Sequence, residues 1–290
     1  MSNAVTGRSA AIIGVTSMLN KPPEKLAGES IRRTVLWVYA GLFYVFLYAP
    51  ILSLVVLSFN DSGIIGLPLR GFTMRWYEEV AKSSALLEAI FNSFMLAIVS
   101  SLIATALALP LAMSFCRELP FRGWLMKLIL LPILIPGVVS GVVFLGFFGY
   151  MGLPFGLWTS VLIVHITWVL PFAFLTLYPR LHGFDRSLEE AAMDLGASPV
   201  VVFKRILMPL IRPGIVATVL FGFTLSFDEF IRTFLVIGSQ STIPVYLWTL
   251  LFSRVVPFLP AVGVVIMIIS ILVSSGGFVA LSRARTSDAE

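Results

Sequence analysis

Three charged residues crowd into an otherwise apolar run: Asp228, Glu229 and Arg232, within FTLSFDEFIRTFLVIG (223–238). An ionisable group at the centre of a bilayer costs roughly 2.5–3.5 kcal/mol, so such groups face a cavity or one another. Asp228 and Arg232 stand four residues apart, the spacing that pairs side chains on one helix face. Glu229 points about 100° away from Asp228 and is not absorbed by that pair. Two readings follow. Either the carboxylates line a path for a cationic solute, or the charges form a structural pair or touch a partner subunit. An arginine so placed would equally serve an anion. Trp168 offers an aromatic face to a cation. Tyr246 and Trp248 do so too, but they read better as part of an interface belt. His165 reads as a hydrogen-bonded interior histidine rather than a proton relay.

No catalytic chemistry assembles around these residues. The sequence contains no G-x-x-x-x-G-K-[ST], so it has no phosphate-binding loop of its own. It contains no H-E-x-x-H and no G-x-S-x-G. Both histidines, His165 and His182, are isolated, and the single cysteine, Cys116, has no partner for a disulfide or a metal. No catalytic residue, metal site or cofactor is expected in this chain.

The elements that position the charges are membrane spans. The 290 residues are 58% hydrophobic and 12% charged, against about 25% charged in a soluble domain. The charges cluster, and runs long enough to cross about 30 Å of hydrocarbon lie between the clusters. Six helical spans are expected, at about 34–57, 89–115, 128–149, 157–178, 213–238 and 257–281. The charge-free stretch from Leu128 to Pro179 is divided by the turn-like YMGLPFG (150–156). Counted from Pro213, Asp228 lies about 22 Å along span five, in the outer part of the membrane. Small residues recur every fourth position at Ala97, Ser101 and Thr105, at Ala104, Ala108 and Ala112, and at Gly137 and Gly141, which lets helices approach closely.

With the N-terminus inside, cytoplasmic segments hold fifteen of the 20 basic residues. The exceptions are Arg70, Arg75, Lys82, Arg232 and Arg254. The positive-inside rule then places both termini in the cytoplasm: a tail over 1–33, a loop over 179–212 and a tail over 282–290. The net charge of +5 needs no nucleic-acid partner. Residues 9–19 are too short and too polar to span and read as part of the first tail rather than as a short helix lying on the membrane. The outer loop 58–88 is close to neutral, and Trp76-Tyr77 marks a short interfacial helix or packing on the span ends.

The loop 179–212 contains EEAAMDLGASPVVVFKRILMP (189–209). Ser187 and Glu190 fit a capping box. A short helix is expected to run to Leu195, with Gly196 as the left-handed terminator. Ser198-Pro199 restarts a helix, which Pro209 and Pro213 are expected to end before span five. A small capped knob of this kind suits a groove on another protein, and equally an ordinary interfacial loop.

The spacing of Glu190-Ala191-Ala192, Gly196, Ile206 and Pro209 resembles the signature loop of bacterial ABC-importer permease subunits, with Met208 in place of the usual leucine. HITWVLPFAFLTLYPRLHGFD (165–185), FTLSFDEFIRTFLVIG (223–238) and SFNDS (58–62) resemble the spermidine/putrescine-type branch, in particular its second permease subunit. The resemblance implies an all-α membrane protein with the six spans of the type I ABC-importer permease fold and a cytoplasmic coupling helix. It implies that Glu190, Ala191, Ala192, Asp194, Gly196 and Ala197, with Pro209 closing the element, dock on a cytoplasmic ATPase. It also implies a second, non-identical permease subunit, two ATPase subunits that bind ATP and Mg, and an external substrate-binding protein. The competing class is an ion-coupled secondary transporter with Asp228 and Glu229 as its ion site. That class usually carries internal repeats; none is evident, and the loop would be left unexplained.

Overall fold

Hydrocarbon offers the backbone no water to bond, so a charge-free run must satisfy its own N–H and C=O groups as a helix. A computed structural model describes residues 27–117, 119–253 and 256–287. Residues 1–26 and 288–290 of the expected tails, and Arg254, lie outside the described residues. The described chain is helical, with one isolated antiparallel bridge between Asn60 and Phe72.

The elements are α1 (Ala27–Ser58), α2 (Arg75–Lys82), α3 (Ser84–Phe115), α4 (Arg122–Leu134) and α5 (Gly137–Tyr150). A π-helical turn (Leu157–Val161) leads into α6 (Leu162–His182), and α7 (Ser187–Asp194) follows. Next come α8 (Pro199–Val202), a second π-helical turn (Phe203–Leu207) and α9 (Met208–Phe227). Last are α10 (Ile231–Val236), α11 (Ile243–Ser253) and α12 (Leu259–Ser287). Four stretches are long and apolar enough to cross a membrane among the described residues: Arg32–Ser58, Ser84–Phe115, Leu157–His182 and Pro199–Phe227. Residues up to Leu54 form one unit and Val55 onward another.

Within the second unit, α3, α6 and α9 pack on one another. The small residues of α3 make this possible. Ala97, Ser101, Thr105, Ala104, Ala108 and Ala112 are all buried. Below them Phe115 meets Phe174 edge to face at 5.1 Å, alongside Leu177 and Ile211. Gly222 of α9 sits so close to its neighbours that a Cβ there would lie 2.8 Å from Val169 Cγ1 and 3.2 Å from Ser101 Cβ.

Four expectations are corrected. Span three (128–149) is not straight: α4 and α5 meet at 100°. Ile135 is extended and Pro136 has no N–H to donate, so the helix cannot continue through them. Span five is broken at residues 228–230, between α9 and α10. Pro209 and Pro213 do not end the loop helix. The chain is helical without interruption from Pro199 to Phe227, and both prolines lie within it. The wide turn at Phe203–Leu207 ends two residues before Pro209, and such turns are where the regular i to i−4 ladder is relaxed. Finally, the stretch between the expected spans five and six, where no helix is expected, contains α11. Its first N–H, of Ile243, donates to Ser93 Oγ at 2.8 Å, and Asn92 Nδ2 donates to Ser241 O at 3.0 Å.

The loop 59–74 is held by Asn60. Its side chain donates to Gly66 O at 3.0 Å and accepts from Arg70 N at 2.9 Å. Its carbonyl accepts from Trp76 Nε1 at 2.8 Å. Trp76-Tyr77 thus begins a short helix, α2, and also packs on the end of α1, where Tyr77 Oη meets Ser58 Oγ at 2.7 Å.

Adding one methyl group at the tight crossing should overpack it. Gly222→Ala is expected to cost about 1–3 kcal/mol, read as a lower midpoint in thermal unfolding of the purified protein. Gly146→Ala, where nothing lies within 4 Å, should leave the midpoint in place.

Candidate functional site

The loop helix α7 is capped at both ends. Asp185 Oδ1 accepts from Ser187 N at 3.0 Å, so Asp185 performs the cap expected of Ser187, which is already inside the helix. The Ser187 amide and hydroxyl hold the Asp185 carboxyl below the usual carboxylate range. The cap is therefore charged at neutral pH and is lost only as pH falls through that lowered value. At the other end Gly196 N donates to Met193 O at 2.9 Å and Ala197 N to Ala192 O at 3.0 Å. This is the Schellman arrangement, and Gly196 takes the left-handed φ of +84° that it requires.

What α7 presents is a mixed surface. Glu190, Ala191 and Asp194 are exposed, and Ala192 and Ala197 are half-buried. Glu190 and Asp194 make no side-chain ion pair or hydrogen bond among the described residues. Leu195 is 90% exposed beside them. A cavity of about 440 Å³ lies behind the helix, lined by Met113, Cys116, Phe184, Glu189, Glu190 and Leu207 among others. Pro209, expected to close the element, instead sits inside the helix that carries the loop into the membrane.

The break in span five separates the two carboxylates. Arg232 does not pair with Asp228. Its Nη1 lies 2.7 Å from Glu229 Oε2, with the two side chains only 7% and 10% exposed. Glu229 Oε1 also accepts from Arg232 N at 3.1 Å, so the carboxylate caps α10 as well as neutralising it. The expected pairing presupposed an unbroken helix. The break removes the four-residue register and brings the three-residue neighbour into reach.

The guanidinium is satisfied on other sides too. Arg232 Nε donates to Ser140 Oγ at 2.9 Å. The Arg232 guanidinium carbon sits 3.8 Å from the centre of the Trp168 ring. Trp168 therefore does not offer that face to a solute; the protein's own cation covers it. Gly137 and Gly141 let α10 approach α5 for this, since a Cβ at Gly137 would lie 3.3 Å from Arg232 Nη1. Asp228 is left exposed and without an ion-pair or hydrogen-bond partner for its carboxylate among the described residues.

His165 is buried, with Nδ1 2.6 Å from Ser226 Oγ and Nε2 2.7 Å from Thr233 Oγ1. It is the hydrogen-bonded interior histidine that its position in span four suggested. Trp248 packs at 5.0 Å from Phe230, and Tyr246 Oη lies 3.3 Å from Ser83 Oγ. Sequence reasoning missed Ser140, Ser226 and Thr233. Their only signal is a hydroxyl in an apolar run, which many spans carry without consequence.

Long apolar helices, two of the expected spans broken, around a close-packed core define a helical membrane protein. The chain belongs to the family of binding-protein-dependent transport system inner membrane components, whose model matches residues 104–288. It is 34% identical over 232 residues to the spermidine/putrescine transport system permease protein PotC of Escherichia coli (strain K12), covering 79% of this chain and 87% of the relative. It is 32% identical over 235 residues to the putrescine transport system permease protein PotI of the same strain, covering 78% and 83%. In fold it is similar to a bacterial ABC transporter involved in the import of the acidic polysaccharide alginate, with a TM-score of 0.70 at 17% identity over 90% of this chain and 99% of that one. The protein is thus a multi-pass inner-membrane permease subunit of an ATP-driven ABC importer.

The pairing geometry makes the two carboxylates unequal. A buried ion pair gains little net stability, but losing one partner strands the other at a cost of about 3–5 kcal/mol. Glu229→Ala is expected to lower the unfolding midpoint strongly or abolish accumulation in the membrane. Asp228→Asn should stay within about 0.5 kcal/mol of the parent in the same measurement.

Proposed function

We propose that the solute is a polyamine or a related small organic cation, and that Asp228 is its contact in the membrane. The observation that carries this is the unpartnered carboxylate of Asp228 at the broken end of α9. The carbonyl end of a helix is itself negative, so it reinforces a carboxylate placed there. Broken membrane helices serve cations in this way in other transporters. Glu229 and Trp168 are occupied by Arg232 and act as its supports rather than as contacts. The spent charge of Arg232 likewise disfavours an anionic solute. The names of the relatives at 34% and 32% identity support a polyamine.

Power is supplied by partners. In this reading α7, with Glu190, Ala191, Ala192, Asp194, Gly196 and Ala197, docks on a cytoplasmic ATPase subunit that holds ATP and Mg. A second, non-identical permease subunit supplies the other half of the path, two ATPase subunits complete the inner face, and an external binding protein delivers the solute. In this reading both termini lie in the cytoplasm, which the distribution of basic residues supports. The exposed, unpaired Glu190 on a helix fixed at both ends supports the docking role.

Two measurements test these roles in the reconstituted transporter. Asp228→Asn should reduce uptake of spermidine or putrescine by about tenfold, the equivalent of ~1.4 kcal/mol, with ATP hydrolysis retained. Unaltered uptake would reject Asp228 as the contact. Glu190→Ala should leave the binding protein's affinity for its solute unchanged while ATP hydrolysis no longer drives uptake. Normal coupling in that variant would remove Glu190 from the docking surface.

A further inference from the structure

A chain of buried hydroxyls and one imidazole crosses the break in span five. Ser100 Oγ donates to Ser226 Oγ at 2.8 Å. Ser226 Oγ meets His165 Nδ1 at 2.6 Å, and His165 Nε2 meets Thr233 Oγ1 at 2.7 Å. Thr233 Oγ1 donates to the backbone carbonyl of Glu229 at 2.9 Å. Each hydroxyl has one proton to give. Thr233 gives its proton to Glu229 O, so it accepts from His165 Nε2. The ring is then the neutral Nε2–H tautomer, and Nδ1 accepts from Ser226. Ser226 in turn accepts from Ser100, and every proton of the chain is given once. The chain ends on a backbone carbonyl, which cannot pass a proton on, so it is no relay.

Its geometry has a different use. Ser226 belongs to α9, before the break, and Thr233 to α10, after it. Among the described residues, His165 is the one side chain that hydrogen-bonds both. The backbone between them has weak ties of its own: Asp228 N to Thr224 O and Glu229 N to Ser226 O, each 3.3 Å long. The Asp228 carboxylate has no partner, so its place is inherited from the two helix ends that flank it.

We propose that His165 is a positioning residue, a clasp from α6 that holds the two halves of span five in register and so sets where Asp228 presents its carboxylate. The clasp concerns the backbone at the break; its consequence for transport rests on the reading of Asp228 as the solute's contact.

The test separates the two. Cys116, the only cysteine in the chain, is replaced by Ala, and Asp228→Cys is introduced as a reporter. Its rate of modification by a cationic, membrane-impermeant methanethiosulfonate is measured in the assembled transporter. His165→Ala should change that rate by about tenfold or more, since two buried hydrogen bonds are lost. Ser226→Ala and Thr233→Val should each shift it in the same direction, and neither should add to the effect of His165→Ala. They keep the ring and remove one hydroxyl each, so they decide the matter if His165→Ala does not fold. Rates within about twofold of the parent in the folded variants overturn the clasp. In the chain that retains Asp228, the same variants should raise the KM for spermidine more than they lower the maximal rate. A shifted thiol rate with an unmoved KM leaves the clasp standing and removes Asp228 from solute binding.

Discussion

A guanidinium cannot sit in the membrane interior without an answering charge, and the arrangement around Arg232 follows from that constraint. Glu229 supplies the charge at 2.7 Å, Ser140 an acceptor at 2.9 Å and Trp168 an aromatic face at 3.8 Å. These come from three separate stretches of chain, so the one cation ties α10 to α5 and α6. The cost of stranding a buried charge, about 3–5 kcal/mol, exceeds the net gain from the pair itself. The pair is thus better understood as a constraint on which helices must be neighbours than as a source of stability.

The same pairing sorts the charges by role. Three ionisable groups lie within five residues of span five, yet only Asp228 is left unanswered. Glu229 is spent twice, on the guanidinium and on the Arg232 N–H in the first turn of α10. The break that permits this also ends α9 at Phe227, with Asp228 as the residue that follows its last turn. One kink therefore buries one acid against Arg232 and leaves the other exposed at the negative end of a helix.

Much of this was legible in the sequence, for identifiable reasons. Apolar runs located the four helices that are long enough to cross a membrane among the described residues, because hydropathy decides what can sit in lipid. The four-residue spacing of Ala97, Ser101 and Thr105 marked the packing face of α3 because close approach needs small side chains. Gly196 marked the end of α7 because few other residues take a φ of +84°. What escaped were features set by distant partners. Arg232 meets a serine 92 positions away, which no local spacing reveals. The kink at residues 228–230 has no proline or glycine to announce it, and it moved the ion pair from a four-residue to a three-residue neighbour. At Pro209 and Pro213 the error ran the other way. Prolines that usually stop helices are carried inside one, behind a π-helical turn.

The uninterrupted helix from Pro199 to Phe227 has a mechanical meaning. Its 29 residues span about 43 Å at 1.5 Å each. One end begins just past the glycine turn of the loop helix, and the other stops at Asp228. A tilt of about 5° at one end would carry the far end through about 4 Å, the scale of an ion-pair distance. Under the docking and solute-contact roles proposed above, the driven end and the cargo end are two ends of one lever, with the wide turn at Phe203–Leu207 close to the driven end.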